Sequence, residues 1–224
     1  MRIYLASAAA AALLLAAGTA SAQSTEVSFN ANVTSDYVYR GFSQTDEDPA
    51  FQLGVDLTAG AFYAGAWASD IDFGDDTKAE FDLYGGIRGE SAGYEWDLGL
   101  IGYFYADAPT GADYDFVEVK AAASRAIGPV TLGAAAYYSP DFFGIDETAT
   151  YVELNGEWAL TEKVSVSGAV GQQYLDVNDD YATWNLGLGY AVTDALGVDL
   201  RYHDTDVDGV LSEARFVASL SLGF

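Results

Sequence analysis

From residue 26 onward, apolar and polar side chains alternate along the chain, and turn residues separate one alternating segment from the next. "EVSFNANVTSDYVYR" (26–40) places Val27, Phe29, Ala31, Val33, Tyr37 and Tyr39 on one face. Its other face carries Ser28, Asn30, Asn32, Thr34, Asp36 and Arg40. "AFQLGVDLT" (50–58) sets Phe51, Leu53, Val55 and Leu57 against Gln52, Gly54, Asp56 and Thr58. "YATWNLGLGYAV" (181–192) and "LGVDLRYH" (196–203) have the same two-faced pattern. Period two predicts β-strands. Read to the C-terminus it gives about twelve, over 26–40, 50–59, 61–71, 78–90, 93–106, 114–126, 129–139, 148–160, 163–175, 180–192, 195–204 and 213–224. The third, "AFYAGAWASDI", mixes rings with small residues so that either face fits a buried side. Most of these spans exceed the usual strand of about five or six residues. They suit a tilted bilayer crossing, which needs about 9–11.

The connections alternate in kind. After even-numbered strands they are brief: Ala59-Gly60, Ser91-Ala92, Gly128-Pro129, Thr161-Glu162 and Thr193-Asp194. After odd-numbered strands they are longer and rich in aspartate, as in "GFSQTDEDP", "DFGDDT", "SPDFFGIDETA" and "DTDVDGVLS". An even strand count with short turns at one end and longer loops at the other is the pattern of an outer-membrane barrel with periplasmic termini. Closure also removes the sheet edges that long strands leave exposed.

A soluble sandwich would show the same alternation, because it too buries one face of each strand. Two observations favour the barrel beyond strand length. The final segment "FVASLSLGF" carries Phe216, Ala218, Leu220, Leu222 and Phe224 at every second position. It resembles the C-terminal strand by which the barrel assembly machinery recognises outer-membrane proteins. Rings also recur near predicted strand ends, at Tyr37 and Tyr39, Tyr94 and Trp96, Trp158, Tyr174, Tyr190 and Tyr202, as interfacial girdles require. The expected fold is therefore all-β: a transmembrane antiparallel up-and-down β-barrel of about twelve strands.

Composition adds three constraints. Met1-Arg2, the apolar run "IYLASAAAAALLLAAG" and the small residues "ASA" at 20–22 predict a secretory signal peptide cleaved after Ala22. That divides the chain into a leader, 1–22, and a barrel domain, 23–224, exported to the bacterial outer membrane. Nine Lys and Arg stand against 34 Asp and Glu, so there is no basic patch for a nucleic-acid partner. With no cysteine, the chain has no disulfide to staple it. The expected partners are outer-membrane lipid and lipopolysaccharide, the assembly machinery, and small solutes or ions.

The blocks "VTSDYVYRGFSQTDEDPAFQ" (33–52), "FYAGAWASDIDFG" (62–74) and "EFDLYGGIRG" (80–89) resemble the TorF-like porins of proteobacteria. The likeness runs through the chain beyond the leader and is most specific at "SDYVYRGFSQT". It implies a porin-like outer-membrane protein and brings no catalytic residues with it.

If the apolar stripe faces lipid, strand parity sends Arg40, Lys78, Arg88, Lys120, Arg201 and Arg215 inward. Arg125, near a strand end, and Lys163, in a turn, are left over. A lipid-facing cation at mid-depth costs about 2–4 kcal/mol, so this distribution is what a barrel requires. Parity adds Asp36, Asp56, Glu80, Asp82, Glu95, Asp97, Glu118, Glu153, Glu157 and Asp199 to the same face, with His203. Such a lining favours cations in a water-filled pore. The competing reading is that these charges pair across the lumen and fill it, leaving a non-conducting barrel with a role in surface adhesion or lipopolysaccharide contact.

Three weaker signals complete the sequence. "DTDVDG" (204–209) offers Asp204, Asp206 and Asp208 at the spacing of a calcium loop, but Arg215 stands where the closing glutamate belongs. No cofactor is expected beyond weak Ca2+ or other divalent binding at such loops, and Asx turns account for the same residues. His203 next to Asp204, with Ser212 across the loop, is the only hint of a barrel lipid hydrolase, and no nucleophile motif surrounds Ser212. The protein is expected not to be an enzyme. "NVT" (32–34) matches a glycosylation sequon inside a predicted strand.

Overall fold

The structure, a computed structural model, describes residues 25–224. The signal-peptide prediction falls outside the described residues. Twelve strands close into one barrel: β1 (Thr25–Thr34), β4 (Ala50–Ala59), β5 (Phe62–Asp70), β6 (Ala79–Ser91), β7 (Tyr94–Ala106), β8 (Phe116–Ile127), β9 (Val130–Ser139), β10 (Ala149–Ala159), β11 (Val164–Leu175), β12 (Tyr181–Ala191), β13 (Leu196–Thr205) and β14 (Arg215–Gly223). Two short strands, β2 (Val38–Tyr39) and β3 (Phe42–Ser43), pair only with each other. Each barrel strand is antiparallel to its neighbours, and β1 closes the ring by pairing β4 on one side and β14 on the other.

That seam runs from Asn30↔Gly223 to Thr34↔Ser219. It continues one step further: Phe29 and Phe224 exchange both backbone hydrogen bonds, at 2.8 and 3.0 Å, and their rings stack with centroids 5.8 Å apart. The long-loop end and the short-turn end fall where the alternation of connections places them.

The distribution of burial is inverted relative to a soluble domain. Leu83, Leu98, Leu154, Leu186 and Leu200 stand exposed on the outer wall. Polar and charged residues, Gln52, Glu80, Glu118, Lys120 and Gln173 among them, are the ones withdrawn from solvent. A sandwich would bury the apolar stripe. Here that stripe forms a continuous outer band, far beyond the few hundred Å² that a water-soluble monomer leaves exposed. The ambiguous third strand resolves with Tyr63, Gly65, Trp67 and Ser69 inward; Tyr84 covers Gly65 so closely that any side chain there would collide with the ring.

The first strand departs from expectation. Alternation continues through Arg40, yet pairing stops at Thr34. Ser35 makes its last bonds to the wall, its amide to the Ala218 carbonyl and its Oγ accepting from the Ala218 amide. The Thr34 hydroxyl then donates to the Asp36 carbonyl and turns the chain inward. Tyr37 and Tyr39 consequently leave the outer girdle and lie inside the barrel. Tyr94, Trp158, Tyr174 and Tyr190 remain exposed near strand ends, as a girdle requires.

A mid-strand outward residue gives the sharpest check of this orientation. Leu154→Arg is expected to destabilise the barrel in lipid vesicles by about 2–4 kcal/mol in denaturant titrations. Leu154→Val should change it by less than about 1.5 kcal/mol.

Candidate pore and its inserted hairpin

The candidate functional site is the inner face of the barrel together with the segment that folds into it. Between β1 and β4 the chain makes a tight hairpin: Val38 pairs Ser43, Tyr39 pairs Phe42, and Arg40-Gly41 form the two-residue turn. Both turn residues have positive φ, 45° at Arg40 and 90° at Gly41. This is the primed turn that matches strand twist, and it is why glycine follows. An arginine in the left-handed region is uncommon, so contacts of its side chain must hold it there.

The base of the hairpin is tied by one carboxylate. Asp36 Oδ1 accepts from the Ser43 and Thr45 hydroxyls at 2.7 and 3.0 Å, and Oδ2 faces Arg215 Nη1 of β14 at 2.9 Å. The Gln44 carbonyl accepts the Asp72 amide of the next loop. From this base the hairpin crosses the barrel just inside the long-loop end. Tyr37 sets its ring edge-on against Trp67 of β5 and donates to Glu80 of β6 at 3.1 Å. Tyr39 meets Tyr103 of β7, and Phe42 meets Tyr181 of β12.

Arg40, at the tip, is 6% exposed. Its Nη2 lies 2.8 Å from both carboxylate oxygens of Glu118 in β8, and Nη1 donates to Gln173 Oε1 of β11 at 3.0 Å. Tyr39, Tyr137 of β9 and Tyr151 of β10 surround the guanidinium, with centroids 4.7, 5.2 and 4.5 Å from Cζ. Such a charge pair is strong because it is dry, and removing one partner of a buried pair costs about 3–5 kcal/mol through the charge left behind.

Above the hairpin, the loop end is packed with rings. Tyr103, Phe116 and Phe142 form a buried cluster, with Tyr105 and Phe143 against it. Toward the short-turn end the lining is polar. Lys120 pairs with Asp97 at 2.8 Å, and Tyr63 donates to the other oxygen of Asp97 at 2.7 Å. Arg201 reaches Asp199, Asn185 and Ser167. Tyr84 and Asn30 donate to Asp56, Ser124 to Glu95, and Arg88 to Thr58. Tyr151 and Asn155 both donate to Glu153. Glu157 lies half-buried, and Asp82 Oδ1 has no hydrogen-bond partner among the described residues.

Of the inward set, Asp36, Arg40, Asp56, Glu80, Asp82, Arg88, Glu95, Asp97, Glu118, Lys120, Glu153, Glu157, Asp199, Arg201 and His203 lie within the barrel or its mouth. Arg215 bridges mouth and loop, facing Glu47 at 3.5 Å as well as Asp36. Lys78 is a correction. It precedes β6, and its ammonium is exposed in the loop, donating to the Asp75 carbonyl and facing Asp72 at 3.5 Å. Its backbone still bonds Ile71 and Ala106 at the mouth, but the flexible side chain turns out to the loop's acceptors, so parity at a strand end does not place the charge.

The acidic loop signal disperses. Asp204 accepts from Tyr202, Asp206 accepts from the Ala182 amide, and Asp208 is exposed. Among the described residues no three acidic or histidine side chains gather as a metal site. The Ser212 hydroxyl donates to the Val207 and Gly209 carbonyls, with no hydrogen bond to His203. Sequence reasoning missed Gln173, Tyr103, Tyr137 and Tyr151. The available signal was parity: Tyr151 shares a face with Glu153 and Glu157.

A closed twelve-strand antiparallel barrel with an apolar exterior and a charged interior is a porin-type barrel. The chain belongs to a bacterial family described as "Bacterial protein of unknown function (Gcw_chp)", whose profile matches residues 16–221. No curated protein matches it. Among solved structures it is similar to the KdgM porin in complex with disordered oligogalacturonate, 6% identical at a TM-score of 0.60, over 90% of this chain and 99% of that one. It is likewise similar to the NanC porin, 8% identical at 0.60, over 89% and 99%. The COG4313 outer membrane channel from Pseudomonas putida F1 is 10% identical at 0.52, over 92% and 96%. At these identities the likeness is one of fold.

The turn geometry predicts how the hairpin can be loosened. Gly41→Ala places a methyl 3.1 Å from Thr205 Cβ at a φ of 90°, a conformation costing an L-residue about 1–2 kcal/mol. Amide exchange at residues 37–45 should then accelerate while the β4–β14 ladder keeps its protection. Unchanged exchange there would show that the turn does not hold the hairpin.

Proposed function

We propose that the protein is an outer-membrane porin, a passive channel for small hydrophilic solutes that favours cations. The observation that carries this reading is the closed wall whose apolar face is outward and whose inner face holds more carboxylates than cations. Rings of charged side chains in a low-dielectric wall set ion preference. The resemblance to TorF-like porins and the porin fold of its structural neighbours support the same reading. The lining distinguishes it from a sugar-acid channel: a surplus of carboxylates would repel a polyanion such as the oligogalacturonate in the KdgM complex.

In this reading the outward band contacts lipid, and the acidic loops meet lipopolysaccharide at the surface. Phe216, Ala218, Leu220, Leu222 and Phe224, which alternate along the outer face of β14 and beyond, serve the assembly machinery. Any divalent ion at the loops would be weakly held. The chemistry is permeation, with no catalytic step. A second reading draws on the inserted hairpin: a barrel that conducts little at rest and acts through its surface.

Planar-bilayer recording across a KCl gradient tests both. The reversal potential should report cation preference, and Asp56→Asn with Glu157→Gln should move it toward zero by removing two inward charges. An anion-selective barrel overturns the cation reading, and a silent one favours the surface role.

A further inference from the structure

We propose that the wall around Arg40 is a recognition site for organic cations of the guanidinium type, and that Arg40 is its tethered occupant. The inference rests on the porin reading only for the route by which such a solute arrives.

The components of the site other than Tyr39 belong to barrel strands and are braced without the hairpin. Tyr103 donates to Glu118 Oε2 at 3.0 Å. Tyr151 is hydrogen-bonded to Glu153 and Thr183, and its ring lies 6.3 Å from that of Tyr137. Glu118 and Gln173 are 1% and 0% exposed, and both direct oxygens at the position the guanidinium fills. Tyrosine faces beside a dry carboxylate are the chemistry that selects a flat, weakly hydrated cation carrying several N–H donors. A compact ammonium or a potassium ion meets only part of it. With Arg40 absent, two buried acceptors stand unpaired, which favours an incoming donor group.

The occupant is held in a way that allows exchange. β2 and β3 pair with each other and with no barrel strand. Across the lumen the hairpin tip is retained by side chains, chiefly those of Arg40 itself. A solute with the same head group competes for the same contacts. Its binding at Glu118 and Gln173 displaces Arg40 and frees the hairpin that crosses the lumen. The cation that fits the cage is therefore also the one that opens the path.

The test is calorimetric titration of the purified barrel in detergent with ethylguanidinium chloride, using wild type, Arg40→Ala, and Arg40→Ala combined with Glu118→Gln. Folding of each is checked by its gel mobility before and after boiling. Arg40→Ala should bind about tenfold or more tightly than wild type, because self-occupancy no longer reduces the competent fraction. The double variant, and Arg40→Ala titrated with neutral ethylurea, should show no saturable binding. Equal affinities for wild type and Arg40→Ala, or ethylurea binding as well as ethylguanidinium, overturns the site. Should Arg40→Ala fail to fold, Arg40→Gln makes the same comparison. No conductance is needed for this readout. A silent barrel that binds ethylguanidinium supports the site and counts against the porin reading, whereas a conducting barrel that does not bind it overturns the site alone.

Discussion

The structure depends on circular backbone pairing. A strand surrounded by hydrocarbon has no water for its amides and carbonyls, so every edge must find a partner, and only a closed ring provides one for each. Here the ring is completed where β1 meets β14, from Phe29 and Phe224 up to Thr34 and Ser219. Everything else follows from that closure. The pleat divides side chains into an outward apolar set and an inward polar set, and the inward set must satisfy itself across the lumen.

The interior answers that demand in two ways. Toward the short-turn end, neighbouring strands supply their own partners, as with Lys120 and Asp97 or Arg201 and Asn185. Near the loop end, the wall alone is not sufficient. Glu118 and Gln173 find their donor on a segment far away in sequence, whose tip is an arginine held in a left-handed turn. The inserted hairpin is thus as much a part of the polar core as the strands are. It converts what alternation describes as an open tube into one crossed by a peptide.

Most of the wall was legible because period two is a one-dimensional signal that survives any tertiary context. The observed strands match the sequence-derived spans to within a few residues at nearly every end. The exception is instructive. Alternation through "SDYVYR" (35–40) says only that successive side chains point opposite ways, and a hairpin inside the lumen alternates as well as a wall strand does. The clue lies in Arg40-Gly41, a dipeptide that forms a two-residue hairpin turn where alternation alone predicts a strand followed by a loop. Lys78 shows the opposite limit: its backbone is already paired at the mouth, but a long side chain at a strand end can turn to loop partners, so parity there does not fix where the charge goes. The convergence of Tyr137, Tyr151, Glu118 and Gln173 is a property of ring curvature and register, which no local pattern encodes.

The hairpin also fixes an order of events. It lies near the start of the described chain, yet Arg215, which anchors its base through Asp36, is 179 residues further on. Arg40 likewise waits for strands 78 and 133 residues downstream. Loops of that size close late. The segment lies early in the chain yet is the last to settle, and until the wall exists around it, it is a loop between β1 and β4 whose Arg40 has no partner in place. Assembly of this barrel would begin with an open conduit and finish by drawing its own chain into the mouth.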